Sequence, residues 1–181
     1  MRAQTRRDAG FTALFLGFFA SAWFGWAQAG GESGWLTAGS IFSVVVAAIG
    51  LVTGLRAPGE GSAMRDRTAS RRYGIIVGIE FAVIFAGAAL LGGLGQEDYI
   101  PVWVAFVVGV HFVPLAPVLG DPLLRPLAVA TCLVALAGLI TGLASAVSPP
   151  LVVGVAEGLL LLGYSVQALA RGARRPAQSS V

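Results

Sequence analysis

Glu80, His111 and Glu157 lie inside long apolar stretches of this 181-residue chain, and the chemistry open to two carboxyls and an imidazole there is proton exchange. Placing a charge at the centre of a hydrocarbon layer costs roughly 2.5–3.5 kcal/mol on insertion scales, so ionisable side chains in such stretches are rare. They usually point inward or into water and are the default functional hypothesis. Counting a rise of ~1.5 Å per residue, Glu80 is expected ~10 Å from one edge of the membrane, Glu157 ~10 Å from the opposite edge and His111 near the midplane. On neighbouring helices the three would form a ladder of proton acceptors. The short gap between the stretches that carry Glu80 and His111 favours a meeting of those two. Each residue also has a plainer reading. A carboxyl in hydrocarbon can stay neutral and hydrogen-bond a carbonyl or a neighbouring helix, and Glu157, set between Gly154 and Gly158, suits interhelical packing as well as proton transfer. His111 can be a neutral polar contact.

His111 stands in the segment Gly109-Val110-His111-Phe112-Val113-Pro114-Leu115-Ala116-Pro117. Pro114 and Pro117 cannot donate to the carbonyls of Val110 and Val113, which predicts a helix kink beside the histidine. Freed carbonyls next to an ionisable ring suit a cation or proton, and broken helices are where transporters bind their substrates. The plainer alternative is a kink whose carbonyls are satisfied by water or a neighbour. The Gly-x-His-aromatic-x-Pro pattern resembles a segment of small, uncharacterised bacterial multi-span membrane proteins. The resemblance covers this segment alone and implies no activity.

Several other chemistries are excluded by residue type. A catalytic or structural zinc or iron site needs three or four His, Cys or carboxylate ligands. One histidine, one cysteine and two glutamates at other depths do not supply them, so no metal is expected. Haem ligation by two histidines of one chain is impossible, and Met1 and Met64 lie outside the apolar stretches. The chain has no lysine and therefore no Gly-x-x-x-x-Gly-Lys-Ser/Thr loop for a nucleotide; Gly-x-Ser-x-Gly is missing too. No cofactor and no soluble-type enzyme activity are expected. Cys132, the one cysteine, has no intramolecular disulfide partner and reads as a small core residue.

The elements that must position these residues are six apolar runs: Phe11–Ala29, Trp35–Leu55, Tyr73–Leu94, Ile100–Leu119, Pro126–Val147 and Leu151–Ala170. Each matches the ~20 residues with which an α-helix crosses a ~30 Å hydrocarbon core. All twelve basic residues are arginines, and none lies inside a run. Arg2, Arg6 and Arg7 precede the first; Arg56, Arg65, Arg67, Arg71 and Arg72 separate the second from the third; Arg125 falls between the fourth and fifth; and Arg171, Arg174 and Arg175 follow the sixth. The alternate gaps offer only Glu32, Glu97 and Asp98. By the positive-inside rule both termini are expected in the cytoplasm, in a bacterial inner membrane. Arginines beside anionic inner-leaflet lipids, each worth ~1 kcal/mol, account for the basic balance without nucleic acid. Three regions follow: a cytoplasmic tail over 1–10, a transmembrane domain over 11–170 and a basic cytoplasmic tail over 171–181. Arg2, Arg6 and Arg7, an apolar stretch and Ala27-Gln28-Ala29 also fit a cleaved secretory signal. The 19-residue length of the first run and an expected outer aromatic belt of Trp23, Trp26 and Trp35 favour its retention.

Glycine pairs add an expectation about packing. Gly50/Gly54, Gly74/Gly78, Gly138/Gly142 and Gly154/Gly158 each place two small residues on one helix face, where backbones can approach closely in lipid. A glycine-rich background gives the same pairs by chance. Gly50-Leu-Val-Thr-Gly-Leu55 is echoed 88 residues later by Gly138-Leu-Ile-Thr-Gly-Leu143, and the same offset aligns Phe11, Phe15, Phe18 and Phe24 with Tyr99, Trp103, Phe106 and Phe112. An offset of 77 aligns Glu80 with Glu157. Units of three helices insert with opposite orientation, so the expected fold is an all-α bundle of six transmembrane helices, as a three-plus-three inverted repeat or as three successive hairpins. The expected function is a small permease or proton-linked carrier using Glu80, His111 and Glu157. The alternative is a non-catalytic anchor or regulatory subunit of a membrane partner, and a homodimer suits either.

Overall fold

A computed structural model describes residues 5–29, 34–57 and 67–174. They form six α-helices: α1 (Arg6–Gln28), α2 (Gly34–Arg56), α3 (Arg67–Gly93), α4 (Ile100–Leu119), α5 (Leu124–Ala144) and α6 (Pro149–Ala173), with a 3-10 turn over Glu97–Tyr99 before α4. All six are long and apolar enough to cross a membrane. The helices exceed the apolar runs mainly at their arginine-bearing ends, because arginine is a good helix former and its charge can remain at the surface. Thr5 opens α1 with a capping box: its side chain accepts from the Asp8 N–H while the Asp8 carboxylate accepts from the Thr5 N–H. Gly120, at φ 66°, closes α4 in the left-handed region that glycine enters without a Cβ clash.

Helix α1 makes the two most extensive packings in the molecule, on α2 along one side and on α6 along the other, and α6 also touches α2, α4 and α5. Gly10, Ala13, Gly17, Ala20, Phe24 and Ala27 recur on it every three or four residues and are all buried. This small-residue seam permits backbone contact. A Cβ built on Gly50 of α2 would stand 2.6 Å from the Leu14 nitrogen, and one on Gly154 of α6 would stand 2.7 Å from the Ala27 nitrogen. Ser165 adds a cross-link from α6, donating to the Ala13 carbonyl at 2.7 Å. On its other side α6 meets α5 and α4, which pack on each other; α3 joins this assembly through α4. No residue of the apolar stretch Ser70–Gly93 of α3 is fully buried.

Consecutive helices run antiparallel, as contacts Gly50–Leu14, Trp103–Val83, Gly109–Cys132 and Gly142–Pro149 require. Contact of Gly172 with Ala9 gives α6 the opposite direction to α1. Arg6, Arg7, Arg56, Arg71, Arg72, Arg125, Arg171 and Arg174 therefore gather at one end, and Glu97 and Asp98 lie at the other. Glu32, Arg2, Arg65 and Arg175 lie outside the described residues. Two expectations need correction. Trp23 is only 4% exposed and belongs to the core, stacked on Trp26 with ring centroids 5.4 Å apart, so of the expected belt it is Trp35 that faces outward. Gly74 and Gly78 have nothing within 4 Å of a built Cβ, unlike Gly50 and Gly154, and mediate no close approach within the chain.

Candidate functional site

On α3 the partly buried residues Tyr73, Val77, Glu80, Ile84 and Gly87 recur every three or four positions and form the stripe turned to α4. On α4 the facing positions include Trp103, Val107 and His111, four residues apart. The short connection after Gly93 sets the antiparallel register, and that register brings Glu80 level with His111. His111 Nδ1 lies 2.5 Å from Glu80 Oε2, with the two side chains 10% and 11% exposed. The contact has ion-pair distance, but its angles fall short of a hydrogen bond. Toward the opposite end Trp103 Nε1 donates to the Val83 carbonyl at 3.2 Å, a second polar tie between the same helices. The imidazole stands edge-on to Phe112, ring centroids 5.3 Å apart. Helix α4 continues through Pro114 and Pro117. Neither proline can donate to the carbonyl four residues earlier, so those of Val110 and Val113 lack their helical N–H partner next to His111.

A carboxyl and an imidazole in direct contact are the side-chain types that general acid–base chemistry uses.

Glu157 is held elsewhere. Gly154 and Gly158 face α1, against the Ala27–Trp23 backbone and the Phe24 ring respectively. One step round the helix from Gly158, Glu157 reaches α5, where the Thr131 hydroxyl donates to its Oε2 at 3.2 Å. Glu157, Thr131 and Ser165 are all 0% exposed. Glu157 Oε1 has no hydrogen-bond partner. Among the described residues no hydrogen bond or ion pair joins Glu157 to His111 or Glu80, so the structure pairs two of the three expected acceptors and gives the third its own partner.

Sequence reasoning missed Asp121, Thr131 and Trp103. Asp121, in the α4–α5 turn, is 2% exposed; its Oδ1 accepts from the Leu123 N–H at 3.0 Å and lies 3.7 Å from Arg171 Nη1. Tyr164 of α6 donates to the Leu123 carbonyl, fastening the same turn. The Gly-Asp-Pro sequence of this turn was a legible signal, since aspartate favours turns that its own side chain closes. Cys132 is half-buried, less enclosed than expected, and its Sγ stands 2.6 Å from a Cβ built on Gly109. Among the described residues no group of three His, Cys, Asp or Glu side chains comes together to hold a metal. Compared with protein-family models, with curated proteins and with solved structures, the chain matches none.

Proposed function

We propose that the protein is a small proton-linked permease of the bacterial inner membrane, with both termini cytoplasmic and with Glu80 and His111 as its proton-exchanging pair. The observation that carries this reading is the 2.5 Å approach of the two side chains on helices long and apolar enough to span a bilayer. An ionisable pair in that setting costs several kcal/mol relative to apolar residues, and packing alone gives no reason to keep it. The attachment of α3 through α4 supports the same reading, because a helix held on one side can shift without repacking α1, α2 and α6.

The echo of Gly50–Leu55 in Gly138–Leu143 keeps a three-plus-three inverted repeat as part of the proposal. Under that symmetry α1–α2 corresponds to α4–α5, and α1–α6 to α4–α3, and all four pairs are in contact, whereas α5–α6 and α4–α6 pack and their counterparts α2–α3 and α1–α3 share no comparable packing. Glu80 and Glu157 then occupy matching helices, with His111 and Thr131 as their present partners. A two-fold rotation in the membrane plane that superposes the halves of an experimental structure would bear this out; superposition about the membrane normal would end it.

The test of function uses purified protein in liposomes loaded with a pH-sensitive dye, scanned across candidate substrates. Glu80→Gln is expected to abolish substrate-dependent proton movement while the protein remains folded, since glutamine keeps the shape but exchanges no proton in this range. A fully active Glu80→Gln variant would overturn the reading. The second reading, a non-catalytic anchor or regulatory subunit of a membrane partner, is favoured by the open Gly74/Gly78 face of α3, where another helix could approach closely. Cross-linking from a cysteine placed at Gly78 to a different membrane protein, with no proton movement in liposomes, is its distinguishing result.

A further inference from the structure

Glu157 stands apart from the pair just described, and its surroundings pose a separate chemical question. The side chain is 0% exposed, its Oε2 accepts from Thr131, and its Oε1 is buried without a hydrogen-bond partner. A buried carboxylate oxygen left unpaired is among the most costly arrangements in a protein, so some positive species must accompany this carboxyl. The packed elements supply none. On α5 the facing groups are Thr131 and Cys132, a hydroxyl and a thiol, and Arg125 lies at the far arginine-bearing end. On α1 the ionisable residues are Arg6, Arg7 and Asp8, at the end that meets Gly172 rather than the Phe24 level that meets Gly158. On α4 the ionisable side chain is His111, which is turned to Glu80 on α3. On α2 it is Arg56, at that helix's last turn. On α6 itself Arg171 lies next to Asp121. A metal cation needs several oxygen ligands, and one carboxyl with one hydroxyl falls short of the six or more that hard cations gather.

We propose that Glu157 is a second proton-binding site, in which the bound proton on the carboxyl is the only positive species and the Thr131 hydroxyl orients the group. It deepens the carrier reading and rests on it for the proton's purpose, but not for its presence. The site sits where α6 leaves α1 for α5: Gly158 touches Phe24, and Glu157 touches Thr131. Releasing the proton would leave a bare charge in this enclosed position, which opening of the α5–α6 seam to water would relieve. Glu157 is fully enclosed, whereas Glu80 and His111 keep some exposure.

The experiment is infrared spectroscopy of the full-length protein in lipid nanodiscs at neutral pH, which separates the carbonyl stretch of a neutral carboxylic acid from carboxylate bands and needs no substrate. A neutral-acid band is expected in the wild-type protein and in Glu80→Gln and is lost when Glu157→Gln is combined with Glu80→Gln. Thr131→Val keeps the carboxyl and is expected to shift the same band upward in frequency, because the hydrogen bond to it is gone; this arm stands if Glu157→Gln fails to fold. Absence of the band from Glu80→Gln, or its persistence when Glu157→Gln is combined with Glu80→Gln, overturns the proposal. So does a melting temperature that rises with Na+ or K+ concentration at constant ionic strength, since that reports a metal cation in the proton's place. A negative liposome assay with an intact Glu157 band would sink the carrier reading and leave the proton site standing.

Discussion

Glu80→Ala and Glu80→Gln separate the two contributions of the Glu80 side chain. Alanine removes the ionic contact with His111 Nδ1, a buried atom that already makes no hydrogen bond. The expected loss of stability is ~0.5–3 kcal/mol, the coupling usual between two side chains in direct contact. Glutamine retains an acceptor and is expected to recover most of that loss, though not the proton exchange. Equilibrium unfolding in mixed micelles measures both. Ser165→Ala, by contrast, removes a hydroxyl donated to the Ala13 carbonyl inside a helix, and about 0.6 kcal/mol is expected, the average for such bonds between membrane helices. Equal losses for Glu80→Ala and Ser165→Ala would mean that the Glu80–His111 contact is no stronger than ordinary interhelical hydrogen bonding. At this scale the sequence identified Glu80 and His111 because ionisable side chains stand out against an apolar background. It did not identify Thr131, because a threonine in a helix marks nothing until its partner is known.

Glycine substitutions test the element scale, and they should divide by helix. A leucine at Gly50 or Gly154 must displace backbone atoms of α1 that lie 2.6 and 2.7 Å from the position of its Cβ. Backbone cannot turn aside as a side chain does, so a loss at the upper end of the ~1–3 kcal/mol for overpacking, or a failure to assemble, is expected. Alanine at Gly74 or Gly78 meets nothing within 4 Å and gains helix propensity of up to about 1 kcal/mol, so thermal stability should hold or rise. Comparable losses at all four positions would contradict the close backbone packing on α1. They would also point to a partner on α3 in the detergent-solubilised protein. The four glycine pairs look alike in the sequence. Which of them pack depends on helix neighbours, and Gly74/Gly78 belongs to the one helix attached along a single side.

For the whole molecule, the gathering of eight described arginines at one end predicts a single orientation in the bilayer. In a Cys132→Ala background, single cysteines placed in the segment 57–70 or after Arg171 should react only with membrane-permeant reagents. Cysteines at Gly31 or Gln96 should react from outside. External labelling near Arg65 would reverse the threading. The purified protein is also expected to retain α1, whose Ala13, Ala20 and Ala27 are 0% exposed between α2 and α6; its intact mass tests this directly. Cleavage after Ala29 would remove the helix with the two most extensive packings.

The six helices, their alternating direction and the charged end were set by quantities local to the chain: the length of each apolar run, the position of each arginine and the shortness of the gaps. The Glu80–His111 meeting belongs with them, because a short connection between antiparallel helices fixes which levels face each other. Tertiary structure alone decided that α1 lies between α2 and α6, that Trp23 turns inward, that Thr131 is the partner of Glu157 and that Asp121 reaches Arg171. The physical reason lies in the solvent. In water an apolar stripe announces the face that packs, but lipid is as apolar as leucine, so hydrophobicity marks a membrane helix without marking its partners. Those choices fall to small residues and hydrogen bonds, whose meaning depends on what stands opposite.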